Sequence, residues 1–204
     1  MSTRSLVLAT SIALLSAACS IGKPVPQATT YVVEPVPPAT RLSGAHGSEV
    51  VRMGNVRVAA PFSGNALVYR TDEVTFTPDP YQAFIADPPA MLGTQMAAWL
   101  DRAGPFKAVT QPDSALSANY MLEASVTELY GDFRPGRPAA AVVTMQFALV
   151  DLNATGPSLV FSGTIGRRIA IEQNSPAGLV RGYGRAVAEI LSELAGELAA
   201  KRLR

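Results

Sequence analysis

Strict alternation of apolar and polar positions marks three segments in the second half of the chain. Tyr120, Leu122, Ala124 and Val126 alternate with Met121, Glu123, Ser125 and Thr127. Val143, Met145, Phe147 and Leu149 alternate with Thr144, Gln146 and Ala148. Leu159, Phe161 and Ile165 share a face with Gly163, opposite Ser162 and Thr164. A period of two with one greasy side predicts strands of an antiparallel sheet covered on a single face. The links at 131–139 and 153–158 are rich in Gly, Pro and Asn, so a meander is the simplest connection. Upstream, shorter strands are predicted at Tyr31-Val32-Val33, at residues 56–60, and at 66–70 and 74–77. The last two read as a hairpin around Thr71-Asp72-Glu73; Phe106-Lys107-Ala108-Val109 adds another strand, and residues 39–53 read as loop.

Two segments change period. Asp87 is a good N-cap, Pro88 suits the first helical position, and Leu92, Met96, Trp99, Leu100 and Ala103 then form one apolar stripe. Gly104 is expected to close this helix in a left-handed conformation, and Pro105 stops it. A second helix is predicted to start at Ser175 and Pro176, burying Val180, Tyr183, Val187, Ile190, Leu191, Leu194 and Leu198. Lys201, Arg202 and Arg204 suit its negative C-terminal end. Gly182 and Gly184 weaken the first turns, so regular helix is expected only near Arg185. Together these elements predict an α+β fold: a mostly antiparallel sheet with two helices packed on one face, a two-layer α/β sandwich.

The N-terminus obeys a different logic. Arg4, an apolar run over residues 6–15 and Ser16-Ala17-Ala18-Cys19 make a secretory signal, with an apolar stretch about half the roughly 20 residues a bilayer-spanning helix needs. Small residues before a cysteine match the signal of a bacterial lipoprotein, in which the cysteine is acylated and the leader removed. One position departs from that pattern: Ser16 stands where Leu is usual, with Leu15 one place further back. The alternative is an ordinary Ala-x-Ala-type signal with an incidental cysteine. Cys19 is the only cysteine of the chain, and a secreted protein rarely keeps one unpaired thiol, which favours acylation. The expected organisation is a signal peptide at 1–18, a lipidated cysteine with a proline-containing tether at 19–29, and a single periplasmic domain at 30–204.

Composition removes several function classes. Lys plus Arg number 17 against 16 Asp plus Glu, so no net field exists to hold nucleic acid or an acidic membrane. Charged residues make up only 16% and hydrophobic ones 48%, which excludes a disordered chain and points to an unusually apolar surface. One histidine, His46, and one cysteine cannot build a His/Cys metal site. His46 lies in a segment read as loop, near Ser43 and Ser48, where such residues are expected to be solvated rather than catalytic. No Gly-x-Ser-x-Gly elbow occurs, and Gly182-Tyr183-Gly184 lacks the third glycine and the preceding strand of a dinucleotide site. Asp72, Asp79 and Asp87 sit among prolines and read as caps and turns. No catalytic residue, cofactor or metal is expected. Aromatic and apolar residues instead crowd one proline-punctuated segment, with Tyr69, Phe76, Tyr81, Phe84 and Ile85 serving either as contact anchors or as cover for the core edge.

The succession Ala66-Leu67-Val68-Tyr69-Arg70, then Tyr81-Gln82-Ala83-Phe84-Ile85-Ala86-Asp87-Pro88-Pro89-Ala90-Met91-Leu92, then Leu100-Asp101-Arg102-Ala103-Gly104-Pro105-Phe106 resembles the ABC-type transport auxiliary lipoprotein family. The likeness continues through residues 120–129 and 148–151, and so covers roughly residues 30–200. Members often carry Trp where this chain has Ile85. The resemblance implies a non-enzymatic accessory subunit of an MCE-type intermembrane lipid transporter. Cys19 would anchor it at the periplasmic face of the outer membrane, since Ser20 is not the aspartate associated with inner-membrane retention. Its partner would be the MCE-domain protein, met through Tyr69, Arg70, Tyr81, Phe84 and Ile85. The alternatives are a lipid-binding carrier holding an acyl chain between helices and sheet, and a structural envelope lipoprotein with no transporter link.

Overall fold

The computed structural model describes residues 27–42, 44, 46–153, 156 and 158–201; Cys19, the signal segment and the first part of the tether lie outside these. In order come β1 (Thr29–Tyr31), β2 (Val50–Met53), β3 (Arg57–Val58), β4 (Ala66–Arg70), β5 (Phe76–Phe84), α1 (Pro88–Ala103), β6 (Ala108–Thr110), β7 (Tyr120–Asp132), β8 (Ala140–Asp151), β9 (Ser158–Ala170) and α2 (Pro176–Ala200). A turn of 3-10 helix at Ala60–Phe62 follows β3. The fold is α+β.

β7, β8 and β9 form the meander that alternation predicts, paired antiparallel along twelve positions at each of the two junctions. The other edge of β7 is shared by three short strands laid end to end. β2 lies beside Tyr120, Met121 and Leu122, β3 beside Ser125 and Val126, and β4 beside Gly131 and Asp132, all parallel to β7. β6 adds to β2 in parallel, β5 to β4 in antiparallel, and β1 to β5 in parallel. Five of the eight pairings among the described residues are therefore parallel, each only two or three positions long, and the sheet is mixed and open. Strands of two to five residues carry too little alternation to reveal direction, and β2 falls inside the segment expected to be loop.

Two bulges re-aim side chains. The register of β7 slips between Val126 and Glu128, so that Leu129 and Gly131 stay on the helix side while Tyr130 and Asp132 turn to the other face. In β9, Phe161 opposes Leu149 but Leu159 opposes Val150, leaving Val160 as an extra residue. Leu159 is thereby turned away from Phe161 and is 62% exposed, contrary to the shared face expected from spacing.

Both predicted helical stripes are buried and join one cluster with the inward side chains of the sheet, including Met96, Trp99, Phe147 and Phe161. Pro88 and Pro176 open their helices, and the Ser175 hydroxyl accepts from the Gly178 N–H at 3.1 Å. The Asp87 side chain makes no capping bond. Gly104 is extended, at φ −73° and ψ 169°, not left-handed. Its glycine has a steric reason, since a Cβ would stand 2.5 Å from the Leu100 carbonyl oxygen. α2 is continuous from Pro176, because its glycines serve packing: a Cβ on Gly182 would come within 2.7 Å of Ala141 and one on Gly184 within 2.7 Å of the Glu34 carbonyl oxygen.

His46 is 2% exposed rather than solvated. Its Nε2 lies 3.1 Å from the Leu198 carbonyl oxygen and 2.6 Å from that of Lys201, and its ring stacks on Phe106 at 6.0 Å. Both partners are acceptors, so Nε2 carries the proton and bridges two carbonyls where α2 ends. His46→Ala is expected to cost about 1–2 kcal/mol, read as a lower midpoint of urea unfolding followed by circular dichroism.

Candidate functional site

The end of the sheet where β4 and β7 finish gathers most of the molecule's side-chain chemistry. Gly131 faces α2, for a Cβ there would meet Leu179 at 2.8 Å; Tyr130 and Asp132 on either side of it face away. On that outer face Phe62 stacks on Tyr130 at 5.7 Å, and Phe76 meets Tyr130 edge-on at 5.2 Å. The Arg70 guanidinium lies over both the Phe76 ring, at 5.3 Å, and the Tyr130 ring, at 5.9 Å. Such stacking holds a cation against an apolar surface.

Beside this aromatic group the Asp132 carboxylate has no accessible surface and is gripped by two arginines. Arg134 donates to it from Nε at 2.9 Å, from Nη2 at 2.7 Å and from its backbone N–H at 3.2 Å; Arg168 donates from Nη1. The Arg134 side chain is the main reason the Asp132 carboxyl is held well below the usual carboxylate range, with Arg168 adding to it against the opposing effect of burial. Arg134 also donates to the Glu73 carboxylate at 2.8 Å, to which Arg70 and Arg137 approach at 3.4 and 3.7 Å. Glu73 belongs to the β4–β5 turn and Arg134 and Arg137 to the β7–β8 turn, so the network locks two hairpin tips together.

The five residues expected to form one contact surface do not lie together. Tyr69, opposite Gly131, points to the helix side, contacts Phe133 edge-on at 5.3 Å, and donates its hydroxyl to Asp79 at 2.8 Å. Burial and then that bond push the pKa of its phenol up, making it a weaker acid. Arg70 points to the opposite face. Asp79 also accepts from the N–H groups of Tyr81 and Gln82, at 2.8 and 3.0 Å, and so organises a bulge that carries β5 through Pro78 and Pro80 to Phe84. Phe84 is 3% exposed and packs beside Tyr183 in the core, whereas Ile85 is 62% exposed and Tyr81 is half-exposed. Cys19 lies outside the described residues. The Glu73–Asp132–Arg134–Arg168 network was not legible in the sequence; its one local trace is the Asp132-x-Arg134 spacing at the start of a turn.

A separate open groove of about 630 Å³ runs between the chain at Val32, Glu34 and Val36 and the first half of α2, with Val180, Gly184 and Ala188 along it and Arg181 and Arg185 at its margin. Among the described residues no group of three or more His, Cys, Asp or Glu is placed to hold a metal ion.

The ABC-type transport auxiliary lipoprotein component matches residues 31–195. The chain belongs to this family. It is thus a membrane-anchored lipoprotein with an accessory role beside an ABC-type transporter. No curated protein matches it in sequence. Two crystal structures share its fold. One, of an uncharacterized protein, is 15% identical with a TM-score of 0.67, covering 84% of this chain and 99% of that one. The other, of protein XCC0632 from Xanthomonas campestris, of family DUF330, is 16% identical with a TM-score of 0.64, covering 85% and 93%.

Proposed function

We propose that this auxiliary lipoprotein is a non-enzymatic subunit held at the periplasmic face of the outer membrane by acylated Cys19, docking the periplasmic MCE-domain component of an ABC-type lipid transporter. The observation that carries this reading is the family match across nearly the whole folded domain. The well-filled space between helices and sheet supports a docking role over carriage of an acyl chain in the interior, since Met96, Trp99, Phe147 and Phe161 occupy it. Ser20 after the anchor cysteine favours the outer membrane. Tyr81 and Ile85, on β5 and just after it, are the exposed members of the docking set, with Tyr69 and Arg70 on β4 of the same hairpin. A short tether confines the domain to a thin shell at the membrane, so a weak docking surface is well occupied. Affinity purification of the tagged full-length protein from gently solubilised envelopes tests this. Co-purification of an MCE-domain protein with its ATPase is expected; recovery of the bait alone, after crosslinking as well, overturns it.

A further inference from the structure

The direction of the chain at β1 fixes which end of the domain looks toward the anchor. β4 runs from Ala66 to Arg70 toward the end of the sheet that holds Gly131 and Asp132, and β5 returns from it. β1 is parallel to β5, with Thr29 beside Gln82 and Tyr31 beside Phe84. Followed back from Tyr31 to Thr29, the chain therefore heads toward the tips of the β4–β5 and β7–β8 hairpins. Thr29 stands only about 10 Å short of the level of Arg70, some three residues of strand. Nine residues separate it from Cys19, a reach of about 28 Å when extended.

That end of the molecule has the chemistry of a membrane-contact surface. Val74, in the β4–β5 turn, is 87% exposed, and Phe76 follows it at the edge of the aromatic group. Around them stand Arg70, Arg134, Arg137 and Arg168 with Asp72, Glu73 and Asp132, a patch of both signs with one positive charge in excess. Guanidiniums bind phosphate groups, and an apolar tip suits the boundary below the headgroups.

We propose that the joined β4–β5 and β7–β8 hairpin tips rest on a phospholipid bilayer, Val74 and Phe76 entering the interface and Arg137 and Arg168 meeting lipid phosphate. This rests on the anchoring at Cys19 proposed above. The acyl anchor already holds the domain beside the bilayer, so a small patch is enough to set its orientation. The opposite end of the sheet, where Leu159 lies beside Val150 at the start of β7, is then presented to the periplasm.

The test uses the full-length acylated protein in vesicles of phosphatidylethanolamine and phosphatidylglycerol. With Cys19 acylated, Val74→Cys or Leu159→Cys supplies a single thiol for an environment-sensitive fluorophore. The label at position 74 is expected to shift to shorter wavelength and be quenched by lipids carrying a nitroxide, the label at 159 to stay water-like. Adding Arg137→Glu is expected to reduce the quenching at 74; undiminished quenching overturns the phosphate contact. Protein that floats with the vesicles while both labels stay water-like, or while 159 is the quenched one, overturns the orientation and leaves the anchoring intact. Protein that fails to float overturns the anchoring and this inference with it. In native envelopes, a photoreactive group on the thiol at 74 is expected to capture phospholipid; capture of protein instead also overturns it.

Discussion

Replacing Asp132 with alanine is expected to destabilise the domain by about 2–3 kcal/mol. Removing one partner of a fully buried ion pair costs about 3–5 kcal/mol, because the charge left behind keeps its desolvation and loses its compensation. Here the stranded groups are Arg134 and Arg168. Arg134 retains Glu73 as a partner, and Arg168 reaches solvent and the Pro138 carbonyl oxygen, so part of the cost is relieved. The loss is nonetheless large because Asp132 ties the β7–β8 turn to β9 and, through Arg134 and Glu73, to the β4–β5 turn.

The pH dependence of that variant separates an electrostatic role from simple packing. The folded-state pKa of Asp132 is depressed below its unfolded value, chiefly by the Arg134 hydrogen bonds. A depressed carboxylate contributes stability that is complete above its unfolded value, near pH 4, and is lost as the pH falls from there toward the folded value. The difference in unfolding free energy between wild type and Asp132→Ala is therefore expected to be constant between about pH 5 and 7 and to narrow only below about pH 4. A difference that stays level far into acid would assign the residue a packing role; one that closes near neutrality would show that the carboxylate is not held ionised.

Sequence periodicity reveals an element well when that element is long and one face of it is wholly apolar. The stripes of α1 and α2 and the inward rows of β7 and β8 meet that condition, and their residues are buried as expected. Direction and register are harder. β2, β3 and β4 are parallel to β7 across some seventy residues of chain, and a strand of two residues contains no record of its neighbour. A single extra residue at Val160 reverses the side on which Leu159 lies, although the amino-acid spacing looks regular. Glycine misleads in the same way. Gly182 and Gly184 look like weak points of a helix, yet they are where α2 comes closest to Ala141 and Glu34. His46 shows the limit for single polar residues: the segment looks like solvated loop, and only the end of a helix some 150 positions away makes it a buried cap. The Asp132 network is of this kind, since its parts lie on three separate hairpin elements.

Cys19→Ala is expected to move essentially all of the protein from the membrane fraction to the soluble periplasm. No helix among the described residues is long and apolar enough to cross a bilayer. An acyl chain contributes about 0.8 kcal/mol per buried CH₂, so a chain of some sixteen carbons supplies on the order of 10 kcal/mol, and several chains make attachment effectively permanent. Val74 and Phe76 together offer far less, at most about 1.5–3 kcal/mol each if fully buried, and cannot hold the protein against dilution into the periplasm. One complication has to be removed: a leader left uncleaved for want of the cysteine retains an apolar stretch of its own. A companion chain with an ordinary cleavable secretion signal in place of residues 1–19 avoids this. If that chain is soluble and monodisperse, acylation is the anchor and the hairpin tips only orient what the lipid already holds. If it stays in the membrane pellet, the folded domain itself binds the envelope, and the division of labour between anchor and surface is reversed.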